Sequence, residues 1–327
     1  MTPARGWRAL GLAAAAAAAL LAVAACGSAP APGRLYADPD GPLAGSVAAL
    51  LAGGQHGAAA ELEKITQTPA GIWITGQPGD LSVVRQATQA ATRAHAIAVL
   101  VLYNLPDRDA CGRLSALGGP GERDYEDWLG QVASAIGTAN VIVVVEPDGL
   151  PDIVRGCLNP AQAAERYRLL RYAMRRLGAL PRARVYLDAG NPGMFADPAP
   201  LAGPLKAAGV GYGRGFSANV SNFQWTADVV TWSQRLERDL GDQARAVIDT
   251  SRNGHGPYTG PDAPQWCNPP GRALGPAPRL DPGPPGIDAY LWVKDPGASD
   301  GACNGGPAAG HGWAQYAQAL ERQGDDS

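Results

Sequence analysis

The sequence predicts an α/β fold built on a parallel sheet, and three observations point to it. Short runs rich in β-branched residues alternate with longer stretches of helical spacing, the pattern of βαβ units. The most apolar run, "VIVVV" at Val141–Val145, shows no polar alternation, as expected of a strand covered on both faces. Polar residues, Asp and Asn above all, stand directly after one such run after another. At 327 residues the chain has the length of one large barrel or of two ordinary domains.

The elements follow in order. "GIWITG" (Gly71–Gly76) is a short strand ended by a turn, and a helix follows around Leu81–His95. "AIAVLVLYNLP" is a strand that breaks at Pro106. "DYEDWLGQVASAIG" sets Tyr125, Trp128, Leu129 and Val132 on one helical face. After "NVIVVVEPDGL", the stretch "PAQAAERYRLLRYAMRRLGAL" is a helix with Pro160 near its start, where a missing amide is tolerated. "ARVYLDAGN", "AAGVGYGRGFSANVSNF", "ARAVIDTSRNG" and "IDAYLWVKDPG" bring the strand count to about seven, with no internal repeat.

The beginning of the chain bears on its compartment. "MTPARGWR" carries two arginines, an apolar core "ALGLAAAAAAALLAVAA" follows, and "VAAC" ends at Cys26. Residues 1–25 therefore read as a secretory signal, and "VAAC" resembles the lipobox in which the cysteine is lipidated and becomes the mature N-terminus. The alternative is an ordinary signal peptide, with Cys26 an accidental thiol. Residues 26–35 form a short Pro/Ala/Gly tether, and 36–324 the main domain. No later segment is apolar for long enough to span a bilayer. A net charge of −3 without a basic stripe argues against nucleic acid as a partner.

Four further cysteines, Cys111, Cys157, Cys267 and Cys303, make an even set in an exported chain and suggest two disulfides. Three pairings are open. The sequential one closes two loops of moderate length, each stabilising by about 3–4 kcal/mol. The spacings lack the close pairs of zinc sites and the histidines are scattered, so neither a metal nor another cofactor is expected.

The segments "YNLPDRD", "EPDG", "LDAGN", "SANVSN", "DTSRNG" and "KDPGASDG" all follow predicted strands. In a barrel, loops at the strands' C-terminal ends build the active site. Asp, Asn and Gly also make ordinary turns, which explains the composition but not its recurrence after buried strands. Glu146 and Asp148 stand at the lip of the most apolar strand. An unpaired buried charge is expensive, so such groups are paired, protonated or used.

Taken together, "VLYNLPDRDACG", "VIVVVEPDGL", "YLDAGN", "GFSANVSN", "VIDTSRNG", "WCNPPGRALG" and "LWVKDPGASDG" resemble, in order, the motifs of glycoside hydrolase family six, the inverting cellulases. The resemblance runs from about Tyr36 to the last helix near Leu320. It implies a distorted, incompletely closed α/β barrel, the sequential disulfides, and an inverting endo-β-1,4-glucanase acting as a monomer on cellulose or related β-glucans. Asp148 would be the general acid, Asp109 the neighbour that keeps it protonated and helps organise the attacking water, and Asp300 the candidate base. Tyr103 would help distort the sugar. Trp73 and Trp266 would stack glucosyl rings, and Ser115, Asp188, Asn222 and Lys294 would contact substrate. Inversion needs one protonated and one ionised carboxyl group, and Glu146 is better read as pairing with a base such as Arg108 or fixing the strand end.

Three motifs depart from the family pattern. Ala110 separates Asp109 from Cys111, so the loop can sit differently. Asn191 and Met194 replace two sugar contacts, and Ala298 replaces a glutamate near the cut. The short stretch "GACNGGPAAG" after Asp300 predicts an open cleft. The lost contacts motivate an alternative, a catalytically weak glycan-binding lipoprotein of the same fold.

Overall fold

The computed structural model describes residues 1–2, 33–112, 121–241, 243–261 and 264–325. Cys26 and Ser115 lie outside the described residues. The chain divides into the units Met1–Ala31 and Pro32–Ser327, and the fold below is that of the second.

Its strands are β1 (Arg34–Leu35), β2 (Ile72–Ile74), β3 (Ala96–Leu102), β4 (Val141–Val145), β5 (Ala183–Asp188), β6 (Gly215–Ala218), β7 (Arg245–Asp249), β8 (Arg279–Leu280) and β9 (Ile287–Leu291). The helices are α1 (Ala44–Ala52), α2 (His56–Thr66), α3 (Asp80–Arg93), α4 (Glu122–Ile136), α5 (Pro151–Val154), α6 (Pro160–Gly178), α7 (Ala202–Ala207), α8 (Thr226–Leu240) and α9 (Ala314–Asp325). The sheet order is β1-β3-β4-β5-β6-β7-β9-β8, with β2 also paired to β3. Every pairing is parallel except β8 with β9. The expected strands form, and the two-residue strands β1 and β8 join them. A two-residue strand has no periodicity to read, so the sheet is mixed where a parallel one was expected.

The sheet curls into a nearly closed barrel with one unsealed seam between β2 and β9. Among the described residues, an isolated bridge, Ala70 to Trp292, stands across that seam in place of a ladder. The Gly71 amide donates to the Trp292 carbonyl at 2.8 Å, and Trp73 Nε1 donates to the Val293 carbonyl at 3.0 Å. A Cβ at Gly71 would lie 2.4 Å from the Val293 carbonyl oxygen, so only glycine allows this approach.

Alternation along the strands divides the core. On β3 and β4, Ala98, Leu100, Leu102, Val141, Val143 and Val145 pack outward with the helices. Ile97, Val99, Val101, Ile142 and Val144 point the other way and fill the barrel with Tyr186, Val247 and Leu291. This double coverage explains why β4 reads as an unbroken apolar run. On α4, Tyr125, Leu129 and Val132 are buried as predicted, and Trp128 is half-buried. Asn159 caps α6 by accepting from the Ala161 and Gln162 amides, Gln162 returns the bond, and Pro160 sits in the first turn.

The disulfides are sequential, Cys111–Cys157 and Cys267–Cys303, with Cα separations of 5.3 and 6.2 Å. Loops of 46 and 36 residues correspond to roughly 4 kcal/mol each by chain entropy. Cys111, Asp152 and Cys157 gather donor atoms within 4.8 Å. Both sulfurs belong to the disulfide, so they are not thiolate ligands.

Candidate active site

The loops leaving the strands' C-terminal ends form a polar rim, and the backbone there is strained. Of the ten non-glycine residues with positive φ among those described, eight lie in these loops: Asp107, Asp109, Glu146, Asp148, Asn219, Ser221, Asn268 and Asn304. Left-handed backbone outside glycine costs about 1 kcal/mol or more per residue and clusters at functional sites.

Asp148 follows β4 directly, with φ 65°. Its amide donates to Asp188 Oδ2 at 3.0 Å, which ties the turn to the end of β5. Burial pushes its carboxyl well above the usual range, with further contributions from Asp188, Asp152 and Asp109, in that order. The sequence reading names Asp109 as the neighbour that keeps Asp148 protonated, and the structure sets two other carboxylates ahead of it. Asp188, buried at the end of β5, also accepts from Ser217 Oγ at 3.3 Å. Burial raises Asp188 to about 7, opposed by the hydrogen bonds it accepts from the Asp148, Gly190 and Ala189 amides and Ser217.

Glu146 is completely buried. Its Oε2 accepts the Asn104 and Leu105 amides at 2.8 and 3.1 Å, and its Oε1 accepts the Tyr125 hydroxyl at 2.9 Å. It fixes the strand end, one of the two roles expected of it, by holding the loop after β3. The cation that favours its charge is Arg166, against the burial that raises it to about 7. Arg108 donates instead to the Thr75 and Tyr103 carbonyls and lies 5.1 Å over the Tyr103 ring.

Asp300 has the opposite character. Arg252 Nη1 and Nη2 donate to its two oxygens at 2.7 and 3.0 Å, Lys294 Nζ lies 3.2 Å from Oδ1, and the Asn268 amide donates to Oδ2 at 2.9 Å. Both side chains of the Arg252–Asp300 pair are buried. Burial would raise the Asp300 pKa, but the two cations outweigh it and hold the carboxyl below its ordinary value. Behind this group, the buried carboxylate of Asp249 accepts the Ser221, Ser251 and Lys294 amides.

The remaining candidates line the same rim. Trp73 packs edge-on to Tyr103, with ring centroids 5.6 Å apart, and half of it is covered by the barrel interior. Trp266 is 41% exposed, beside the Cys267–Cys303 disulfide and two residues from Asn268. Asn222 Oδ1 accepts the Phe223 amide and Gln224 Nε2. Asn191 is buried, and its Oδ1 accepts the Gly193 and Met194 amides, so it closes a turn at this position. Met194 is half-buried over Gly190. Ala298 is buried and pairs with Gly312.

Four site residues escaped sequence reasoning: Arg252, Asp249, Asp152 and Arg166. Arg252 and Asp249 stand in the quoted segment "VIDTSRNG", where an Asp and an Arg directly after a buried strand were the available signal. Asp152 and Arg166 lie on helices and carried none.

The raised groups set a pH dependence of folding. Glu146 and Asp188 hold their protons to about 7 when folded, whereas unfolded carboxyls titrate near about 4. The folded state therefore binds more protons across this window, and stability is expected to fall as pH rises from roughly 4.5 to 7. Denaturant melts at pH 5 and pH 8 check this, and Asp188→Asn is expected to reduce the slope. A flat profile would contradict it.

Comparison with known proteins places this geometry among relatives. The model of glycosyl hydrolases family 6 matches residues 31–324. Endoglucanase 1 of Streptomyces sp. (strain KSM-9) is 40% identical over 257 residues, covering 77% of this chain and 69% of that protein. Endoglucanase A of Cellulomonas fimi is 42% identical over 265 residues, 80% of this chain but only 56% of the relative. The endoglucanase Cel6 of Mycobacterium tuberculosis, solved with methyl-cellobiosyl-4-deoxy-4-thio-β-D-cellobioside, superposes with a TM-score of 0.82 at 39% identity, covering 90% of this chain and 98% of that one.

Proposed function

The chain belongs to glycosyl hydrolases family 6, and on that premise we propose that it is an endo-acting cellulase that cleaves β-1,4-glucosidic bonds with inversion. The single observation that carries the mechanism is the opposed tuning of two rim carboxyls, Asp148 pushed up and Asp300 held down. Environments that separate two carboxyls in this way assign the acid and the ionised partner. Asp148 donates its proton to the departing glycosidic oxygen while a water attacks the opposite face of the sugar and releases its own proton to solvent, from which Asp148 is reprotonated, so one water is consumed for each bond cut. Asp300, ion-paired on both oxygens, is a weak proton acceptor. It remains the candidate base as the ionised carboxylate of the pair, held so by Arg252 and Lys294, and Asp109, with Ser115, is assigned to ordering the water. Trp73 and Trp266 supply the stacking surfaces, Tyr103 helps distort the sugar at the cleavage point, and Asn222 and Lys294 are assigned to sugar hydroxyls. The turn-forming Asn191, the half-buried Met194 and the buried Ala298 leave a thinner grip on the chain than the family pattern provides.

An open cleft is part of the proposal. After Asp300 the chain folds back on its own base, the Ser299 amide donating to the His311 carbonyl and the Trp313 amide to the Gly297 carbonyl. Endo attack on soluble β-1,4- and mixed-linkage glucans is expected to lower viscosity well before reducing ends accumulate, and the first product is expected to have inverted anomeric configuration by NMR. Retained configuration would sink the inverting mechanism. No hydrolysis of any β-glucan would favour the binding-only reading, against which the tuned carboxyls argue.

We assign residues 1–25 to export, Cys26 to lipid anchoring, 26–35 to the tether and 36–324 to the catalytic domain of a monomer. Cys26→Ser is expected to move the protein from the membrane fraction to the medium. Wild-type protein already soluble, with an N-terminus downstream of Cys26, would refute the anchor.

A further inference from the structure

The extra residue Ala110, which separates Asp109 from Cys111, has a partner in the fold. Its amide donates to Asp152 Oδ2 at 2.8 Å. Asp152 is buried on α5, four residues after Asp148, and its own amide donates to the Asp148 carbonyl at 2.9 Å. We infer that Asp152 is a positioning residue of the hydrolytic site: its buried carboxylate clamps the loop that carries Asp109 to the turn that carries Asp148. The inference rests on the roles proposed above for those two residues.

Four further observations bear on the clamp. Asp107 and Asp109 have φ values of 51° and 54°, a conformation that persists only where surroundings hold it. The Asp109 carboxylate lies directly over Gly112, where a Cβ would come within 2.1 Å of Oδ1, so a side chain at 112 would displace it. Arg166, buried on α6, donates to the Pro106 and Asp107 carbonyls at 2.9 and 2.7 Å and to the Gly149 carbonyl at 3.2 Å, joining the same two loops. The Cys111–Cys157 disulfide links these segments covalently, and the Cys157 amide donates to the Asp152 carbonyl at 3.0 Å. The disulfide limits how far the loops can part but leaves the inserted residue a free choice of direction. The bond to Asp152 makes that choice, with the strength of a charged acceptor.

Asp152 also acts through charge. The charged groups that bear on Asp148 are Asp188, Asp152, Asp109 and Arg155. Those that bear on Asp152 are Arg166, Asp109 and Arg155, with the Ala110 amide. Two substitutions separate position from charge. Asp152→Ala removes both, and since a displacement of about 1 Å can cost on the order of 100-fold, kcat is expected to fall roughly 10–100-fold with KM within about twofold. Asp152→Asn keeps a carbonyl oxygen for the Ala110 amide and removes the charge. It is expected to retain most of kcat on the acid side and to move the alkaline limb of the pH profile downward, because a like charge beside Asp148 is gone.

Hydrogen exchange at the Ala110 amide provides a readout that needs no activity: faster in Asp152→Ala than in wild type, unchanged in Asp152→Asn. Unaltered exchange and kcat in Asp152→Ala would overturn the inference. So would equal loss in both variants with an unmoved alkaline limb, since that marks a merely structural role. If Asp152→Ala does not fold by circular dichroism, the alkaline limb of Asp152→Asn decides alone, and its failure to move refutes the coupling. Wild-type protein inactive on every glucan would sink the glucanase reading, while the exchange comparison would still judge the clamp.

Discussion

Asp148→Asn is expected to lower kcat on unactivated β-1,4-glucans by about 10²–10⁴, the usual worth of general-acid assistance. The substitution keeps the side chain's shape and leaves intact the backbone bond from the Asp148 amide to Asp188, so the turn should survive. What disappears is the transferable proton that burial and the charges of Asp188, Asp152 and Asp109 retain on this carboxyl. The loss should therefore depend on the leaving group. A glycosidic oxygen needs the proton to depart, whereas an activated aryl leaving group needs little, so aryl cello-oligosaccharides should be far less impaired. Paired kinetics on a soluble glucan and an activated aryl substrate test this. Equal losses on both would leave the fold and the family untouched but would strip Asp148 of its role as acid.

Arg252→Met is expected to destabilise the fold strongly. The Arg252 side chain is fully buried, lies 4.2 Å over the Phe223 ring, donates to the Ser221 carbonyl at 2.8 Å and pairs with both Asp300 oxygens. Removing one partner of a buried pair leaves the other charge poorly compensated and costs about 3–5 kcal/mol. At roughly 2–4 °C per kcal/mol for a domain of this class, the melting temperature should fall on the order of 10 °C. The sign with pH follows from Asp300, whose folded pKa is depressed. Its contribution is fully present above the unfolded value of about 4 and is lost as pH falls through the folded value. The gap between wild type and variant should therefore narrow toward acid pH. A gap of constant size would assign the cost to lost packing on Phe223. Replacing Arg252 and Asp300 together by apolar residues of similar volume should recover part of the stability, at the expense of activity.

Much of the fold is legible in the sequence alone. A parallel strand covered on both faces must be apolar throughout, and β3 and β4 are, so their place in the sheet was visible in their composition. The site's outline was readable for a related reason. Asp, Asn and Gly recur after each buried strand, and motifs in fixed order carried Asp109, Asp148 and Asp300 to the rim. The strands β1 and β8 were not readable, because two residues carry no period and their pairing depends on neighbours far along the chain.

The sequence by itself thus determined the class of fold, the order of the main strands and the carboxyls that stand at their ends. Which groups surround each acid was decided only by the tertiary structure. Asp300 meets Arg252 across 48 residues of sequence, Glu146 meets Asn104 across 42, and Ala110 meets Asp152 across 42. The physical reason is that a carboxyl's protonation follows from burial and from charges within a few ångströms, and those are set by which strands the barrel makes adjacent. A strand's own pattern states that it is buried. It does not state which loop will stand beside its end, and that adjacency separates the carboxyl of Asp148, pushed up by burial and like charges, from the ion-paired carboxylate of Asp300.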